Sequence, residues 1–219
     1  MTAAGVGDLV LHVDGHQPVS PAVVEAVLAV CDRAEDEYGA GMLTVYVSGA
    51  PQPGWTRDVS VGLLTKWERA VRRFERLGMV TVAVSAGDCG GTALDLLLAT
   101  DIRIAVAGTR LVVSVSADAT WPGMALYRLA RQGGRLRRAA LLGTPVDAGA
   151  ATAAGLLDAV VDQPDDALAE VATAVAGLTG KELAIRRQLM ADATERSFEE
   201  ALGAHLAACD RALRRVVVS

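Results

Sequence analysis

Aromatic side chains make up only 4% of this 219-residue chain, and most features that mark a specialised class are missing as well. Its three cysteines, Cys31, Cys89 and Cys209, are odd in number and far apart. That pattern fits neither a disulfide framework nor a paired Cys-x-x-Cys metal site, so a reducing cytoplasm is the expected compartment. There are three histidines, His12, His16 and His205, and no HExxH, GxSxG or GxxxxGK[ST] motif, so zinc-peptidase, serine-hydrolase and P-loop chemistry have no foothold and no metal is expected. Basic charge is not in excess: 26 acidic against 21 basic residues give a net charge of −5, the wrong sign for a nucleic-acid partner. No apolar run reaches the roughly 20 residues of a membrane span, and no signal-like segment opens the sequence, so no membrane partner is expected.

What is present is a core. Apolar residues make up 52% of the chain and are mostly Ala, Val and Leu, the composition of helices packed on a buried parallel sheet. The length suits one α/β core with a helical appendix. Leu9 to Val13 reads as a first strand. Ser20-Pro21 then supplies an N-cap and a first-turn proline, and Val23, Val24, Val27, Leu28 and Cys31 recur at helical spacing to about Glu37. A strand over 42–47 follows. After a loop containing Pro51, Pro53 and Gly54, the stripe Leu64, Trp67, Val71, Phe74 and Leu77 marks a second helix, closed by Gly78.

The strand 80–85 runs into Gly87-Asp88-Cys89-Gly90-Gly91, a helix is expected over 92–100, and strands follow at 102–107 and 111–115. Everything after Gly134 reads as helix apart from a strand at 157–161. His12, in an apolar strand, reads as a hydrogen-bonded core residue, and His205 on its amphipathic helix reads the same way. The arginines 69, 72, 73 and 76, and 131, 135, 137 and 138, lie on helices with apolar opposite sides. A solvated face explains them, and an anionic ligand or an acidic partner is the alternative.

The junction at 90–95 carries the chemistry. Gly91 and Thr92 open a helix whose free N–H groups and dipole would stabilise an oxyanion, and glycine lets a ligand approach the backbone. A tight turn is the plainer reading. Asp95, one helical turn beyond Thr92, either carries a proton at the same mouth or simply answers the helix dipole.

The run VAVSAGDCGGTALDLLLATDIRIAVA (82–107) resembles the crotonase (enoyl-CoA hydratase/isomerase) superfamily, in which a strand leads to a glycine-rich turn, an acid-bearing helix and an ACDIRIA-like strand. Trp121-Pro122-Gly123, Leu141-Leu142-Gly143-Thr144 and AATAAGLLDAVV continue the match over nearly the whole chain. The resemblance implies an α/β fold of the ClpP/crotonase type: a β-β-α spiral core over 1–178 and a C-terminal helical oligomerisation region over 179–219. It also implies a CoA thioester as substrate, with no separate cofactor.

Carried over by position, Thr92 supplies one oxyanion N–H beside Gly91, and Asp95 falls where hydratases have the first of two catalytic glutamates. Val115 falls at the second, where no proton transfer is possible. The family's S-A-G-A-D loop, source of the other oxyanion donor, is replaced by Ala50 to Trp55, leaving Trp55 N–H, brought near by Gly54, as the substitute. The chain is most similar to the family's hydratase-like branch that works beside a type III polyketide synthase in forming 3,5-dihydroxyphenylacetyl-CoA, the precursor of dihydroxyphenylglycine in glycopeptide antibiotics.

Two readings follow. One is a lyase aiding dehydration and aromatisation of the synthase's tetraketide thioester. The other is a degenerate crotonase that stabilises or activates a sister hydratase. A homotrimer, a hexamer or a mixed oligomer with that sister is the expected assembly.

Overall fold

The structure is a computed structural model and describes residues 9–36, 41–116, 119–132, 136–176, 181–193 and 196–216. Strand β1 (Leu9–Asp14) alternates, turning Leu9, Leu11 and Val13 inward and Val10, His12 and Asp14 outward. His12 is thus exposed, contrary to the core position expected of it. β1 is an edge strand, and its outward imidazole stacks on Tyr46 of the neighbouring strand at 5.0 Å. Helix α1 (Pro21–Asp36) begins where its cap signals put it, with Ser20 Oγ accepting from Val23 N–H at 3.3 Å. It returns the chain to β2 (Met42–Gly49), parallel to β1.

Helix α2 (Val61–Phe74) is capped by Ser60 Oγ and buries Trp67, Ala70, Val71 and Phe74. It stops four residues short of Gly78, because Arg76 N–H and Leu77 N–H bond three residues back to Arg73 and Phe74. That tighter turn tucks Leu77 into the core.

Strand β3 (Val80–Gly90) is longer than its sequence suggests. Its first half pairs with β2 and, on the other side, with β4 (Ile102–Val106). Beyond Gly87, at φ +65°, residues 88–90 pair instead with β5 (Arg110–Val112), where Arg110 and Asp88 form a two-pronged ion pair at 2.7 and 2.8 Å. The glycine-rich run therefore exchanges partners instead of ending the strand. Helix α3 (Thr92–Ala99) starts two residues after β3 ends and is apolar all round except for Thr92 and Asp95.

The second half of the chain is a succession of short pieces. The two-residue strands β6 (Val115–Ser116) and β7 (Ala119–Thr120) form a hairpin, followed by α4 (Met124–Gln132) and α5 (Arg137–Leu142). β8 (Val146–Asp147), which the sequence reading missed, pairs antiparallel with β5. Then come α6 (Ala148–Ala153), β9 (Ala159–Val161), α7 (Asp165–Val175), α8 (Lys181–Asp192) and α9 (Phe198–Val216).

The main sheet runs β1-β2-β3-β4-β9, parallel throughout, with β5 and β8 attached at the far end of β3. One face packs on α1, α2 and α3. The other buries Val80, Val82 and Ile104 against Leu168, Val171 and Val175 of α7 and Leu183 of α8. This is the β-β-α spiral with a C-terminal helical region that the resemblance implies.

α8 is fastened to the core by Arg187, which grips the Asp101 carboxylate and the carbonyls of Leu77 and Met79. α9 leaves Phe198, Leu202, Leu206 and Leu213 exposed, and His205 with them. Among the described residues no helix is long and apolar enough to cross a membrane.

Candidate active site

A cleft of about 1580 Å³ opens where α2, α3 and α4 meet the loops after β2 and β5. Gly91, Thr92, Asp95, Trp55 and Pro51 all border it; Gly54 does not. The sequence placed Thr92 at a helix start, and it is the first residue of α3, beyond the last ladder pair of β3, so its N–H has no helical acceptor. Its hydroxyl is also unusual. Thr92 is 2% exposed, and Oγ1 has no hydrogen-bond partner among the described residues. A buried, unsatisfied hydroxyl is costly and needs a reason.

Asp95 is held in an apolar helix, its side chain 14% exposed. Trp67 Nε1 donates to Oδ2 at 2.8 Å. Burial pushes the carboxyl up to about 7; the Trp67 hydrogen bond and Arg128 oppose the shift, and the nearby Glu68 and Glu75 add to it. A carboxyl titrating near neutrality can both take up and give back a proton.

Three further residues of this wall were not singled out from the sequence. Arg128 on α4 is 5% exposed and reaches across to α2, where Nε donates to Glu75 Oε1 at 2.7 Å and Nη2 to Glu68 Oε2 at 3.0 Å. Its Nη1 lies 3.9 Å from Asp95 Oδ1 and makes no hydrogen bond among the described residues. Burial works against the guanidinium charge, but Glu75 and Glu68 outweigh it, so Arg128 stays a cation. Glu68 is itself raised by burial, against the pull of Arg128. The seven-residue spacing of Glu68 and Glu75, two turns along one helix face beside the buried stripe, was the available signal. Arg128 gave none, since its partners lie more than fifty residues away.

The opposite wall is made of loops. Trp55 Nε1 donates to the Val115 carbonyl at 3.0 Å, and its ring meets Trp121 edge to face at 5.0 Å. Its backbone N–H, assigned above as the missing oxyanion donor, is taken instead by the Gln52 carbonyl at 3.2 Å, closing a turn in which Gly54 supplies φ +82°. The loop segment that does reach the Gly90-Gly91 turn is Pro51. A Cβ placed on Gly91 would stand 2.6 Å from Pro51 Cγ, and proline has no N–H to give. Gly91 N–H donates to Ser114 Oγ at 3.0 Å, leaving the Ser114 hydroxyl proton free to turn toward the cleft. Val115 is half exposed and does not border the cleft.

The arginine clusters are divided in use. Arg73 binds Glu35 and Asp32 of α1, whereas Arg69, Arg72, Arg76 and Arg131 border the cleft, with Arg72 paired to Glu75 at 2.9 Å. Arg135 lies outside the described residues. Cys89 and Cys31 are buried, and burial raises both thiols, Cys31 to about 11, which leaves neither a ready nucleophile.

No protein-family model matches the chain. A protein of Amycolatopsis orientalis named enoyl-CoA-hydratase is 56% identical over 215 residues, covering 97% of this chain and 99% of that one. Among solved structures, an enoyl-CoA hydratase/isomerase family protein from Silicibacter pomeroyi superposes with a TM-score of 0.77 at 18% identity, over 96% of this chain and 97% of that one. An enoyl-CoA hydratase/isomerase from Marinobacter aquaeolei also gives 0.77, at 16% identity, over 94% and 87%. The structural matches carry the fold, and the end-to-end identity with the Amycolatopsis protein carries kinship: the chain belongs to the crotonase (enoyl-CoA hydratase/isomerase) superfamily.

Proposed function

We propose that the chain is an enzyme of the enoyl-CoA hydratase type, a lyase that adds water to, or removes it from, an acyl-CoA thioester. The observation that carries this reading is Asp95, a largely buried carboxyl held near neutrality by its surroundings, one turn from the helix-opening N–H of Thr92 and from its hydroxyl, which has no partner among the described residues. The thioester oxygen binds at Thr92, which draws charge from the acyl group and makes its α-carbon acidic. Asp95 takes the α-proton, the bond between the α- and β-carbons becomes double, and the departing β-hydroxyl receives a proton from Asp95 and leaves as water. The carboxylate is regenerated, so one acid serves both transfers. Val115 is not needed as a second.

Within this chemistry the substrate we favour is the tetraketide thioester of a type III polyketide synthase, dehydrated and aromatised to 3,5-dihydroxyphenylacetyl-CoA. The support is the motif resemblance, together with the economy of the site: aromatisation supplies driving force that a single acid does not have to provide.

Two observations favour a second reading, in which the chain activates a sister hydratase. Pro51, which has no N–H, is the loop residue packed on Gly91, and the apolar face of α9 lacks a cover among the described residues. Product analysis of the synthase with this protein alone, with a sister hydratase alone and with both separates the two. Aromatic product from the synthase and this protein supports the enzyme. Product only when both are present supports the partner.

A further inference from the structure

Arg128 contradicts the usual rule for buried guanidinium groups. Two of its nitrogens are matched to carboxylates at 2.7 and 3.0 Å, yet the third, Nη1, is buried without an acceptor among the described residues, in a side chain that borders the cleft. The nearest carboxylate oxygen, Asp95 Oδ1, is 3.9 Å away. That is too far for a hydrogen bond. It is, however, the base of a triangle whose other two sides are hydrogen bonds of about 2.8 Å, meeting at roughly a right angle, a geometry that one oxygen atom fits. Both groups are fixed: Glu68 and Glu75 hold the guanidinium, and Trp67 holds the other carboxylate oxygen.

We propose that Arg128 Nη1 and Asp95 Oδ1 together form a subsite for the β-oxygen of the substrate, the hydroxyl that leaves as water or the water that adds. This rests on the acyl-thioester reading above and adds a binding group to it. The guanidinium donates to that oxygen without losing a proton, so it holds the oxygen and steadies the electron pair that departs with it. The proton comes from Asp95. When the Cβ–O bond breaks, the oxygen keeps the bonding pair, gains that proton and remains bonded to Nη1 as water. The arrangement gives the single acid a companion that is not an acid. It also selects acyl chains with an oxygen on the β-carbon over those without one.

Isothermal titration with 3-hydroxybutyryl-CoA and butyryl-CoA, which differ by that oxygen, tests the subsite. Wild-type protein should bind the hydroxyacyl thioester about tenfold or more tightly, the scale of a hydrogen bond from a charged donor. Arg128→Lys keeps the positive charge but loses the second N–H fork, and should bring the two affinities to within about twofold while changing butyryl-CoA binding little. A preference that survives Arg128→Lys unchanged overturns the proposal. So does a wild-type protein that binds both thioesters equally, a result that needs no variant to fold and leaves the acyl-thioester reading intact. If neither thioester binds, that reading falls and the subsite with it.

Discussion

The two walls of the cleft are built to different standards. On the helix side, Trp67, Glu68, Glu75, Asp95 and Arg128 come from three helices, are largely buried, and restrain one another by short hydrogen bonds. On the loop side, Pro51, Trp55 and Trp121 present rings and no spare backbone donor. The relatedness to hydratases would lead one to expect donors from both sides. Here the buried ionisable groups stand on one wall, and the other offers rings and the Ser114 hydroxyl.

Asp95→Asn tests that division most severely. It should lower turnover of the dehydration step by roughly 10²–10⁴-fold in a folded protein, read from steady-state rates with circular dichroism as the control. Full turnover in a folded Asn variant would remove the helix wall from the chemistry. Thr92→Val keeps the backbone N–H and deletes the unpartnered hydroxyl, and a loss of about 10²-fold in kcat is expected if Oγ1 is an oxyanion donor. A loss confined to stability would return the hydroxyl to the structure alone.

The same wall should leave a mark on stability. A carboxyl at about 7 in the folded protein and about 3.9 unfolded takes up a proton on folding between those values. Its favourable contribution is therefore complete below about pH 4 and is lost as the pH rises to about 7. The difference in melting temperature between wild type and Asp95→Asn should change across that window, with the variant gaining on the wild type as pH rises, and then level off. A difference independent of pH would mean that burial does not raise Asp95. The smallest effect belongs to the loop wall. Trp55→Phe removes the bond to the Val115 carbonyl at an exposed site, costing about 0.5–1.5 kcal/mol in denaturant titration and altering kcat by less than threefold. A larger fall in kcat would give the loop wall a part in the chemistry.

The sequence made the β-α-β opening, the start of α3 and the position of Asp95 legible, because each is written in local signals: a Ser-Pro cap, an apolar stripe, glycines before a helix. It hid what depends on distant partners. Residues 86–90 looked like a turn because nothing local shows that β3 changes from β4 to β5. Val146-Asp147 was too short to show a strand period. His12 looked buried because its neighbours are apolar, whereas edge position is a property of the whole sheet. Within the site, Asp95 was readable and its environment was not. Trp67 looked like one more core residue, and the ring of charge around Arg128 joins helices far apart in the chain.

Gly15 carries one more consequence. Its N–H donates to the Ser48 carbonyl at 2.7 Å, and a Cβ there would stand 2.3 Å from the Gly49 oxygen and 2.4 Å from that of Gly90. Three stretches of main chain thus meet with no side chain between them, like the leaves of a book at the spine. The spacing between the first loop and the turn at Gly90 is therefore set by bare peptide contact. Change in substrate preference among close relatives should accordingly be written in the pages, the side chains of α2 and α4, and hardly ever in the binding.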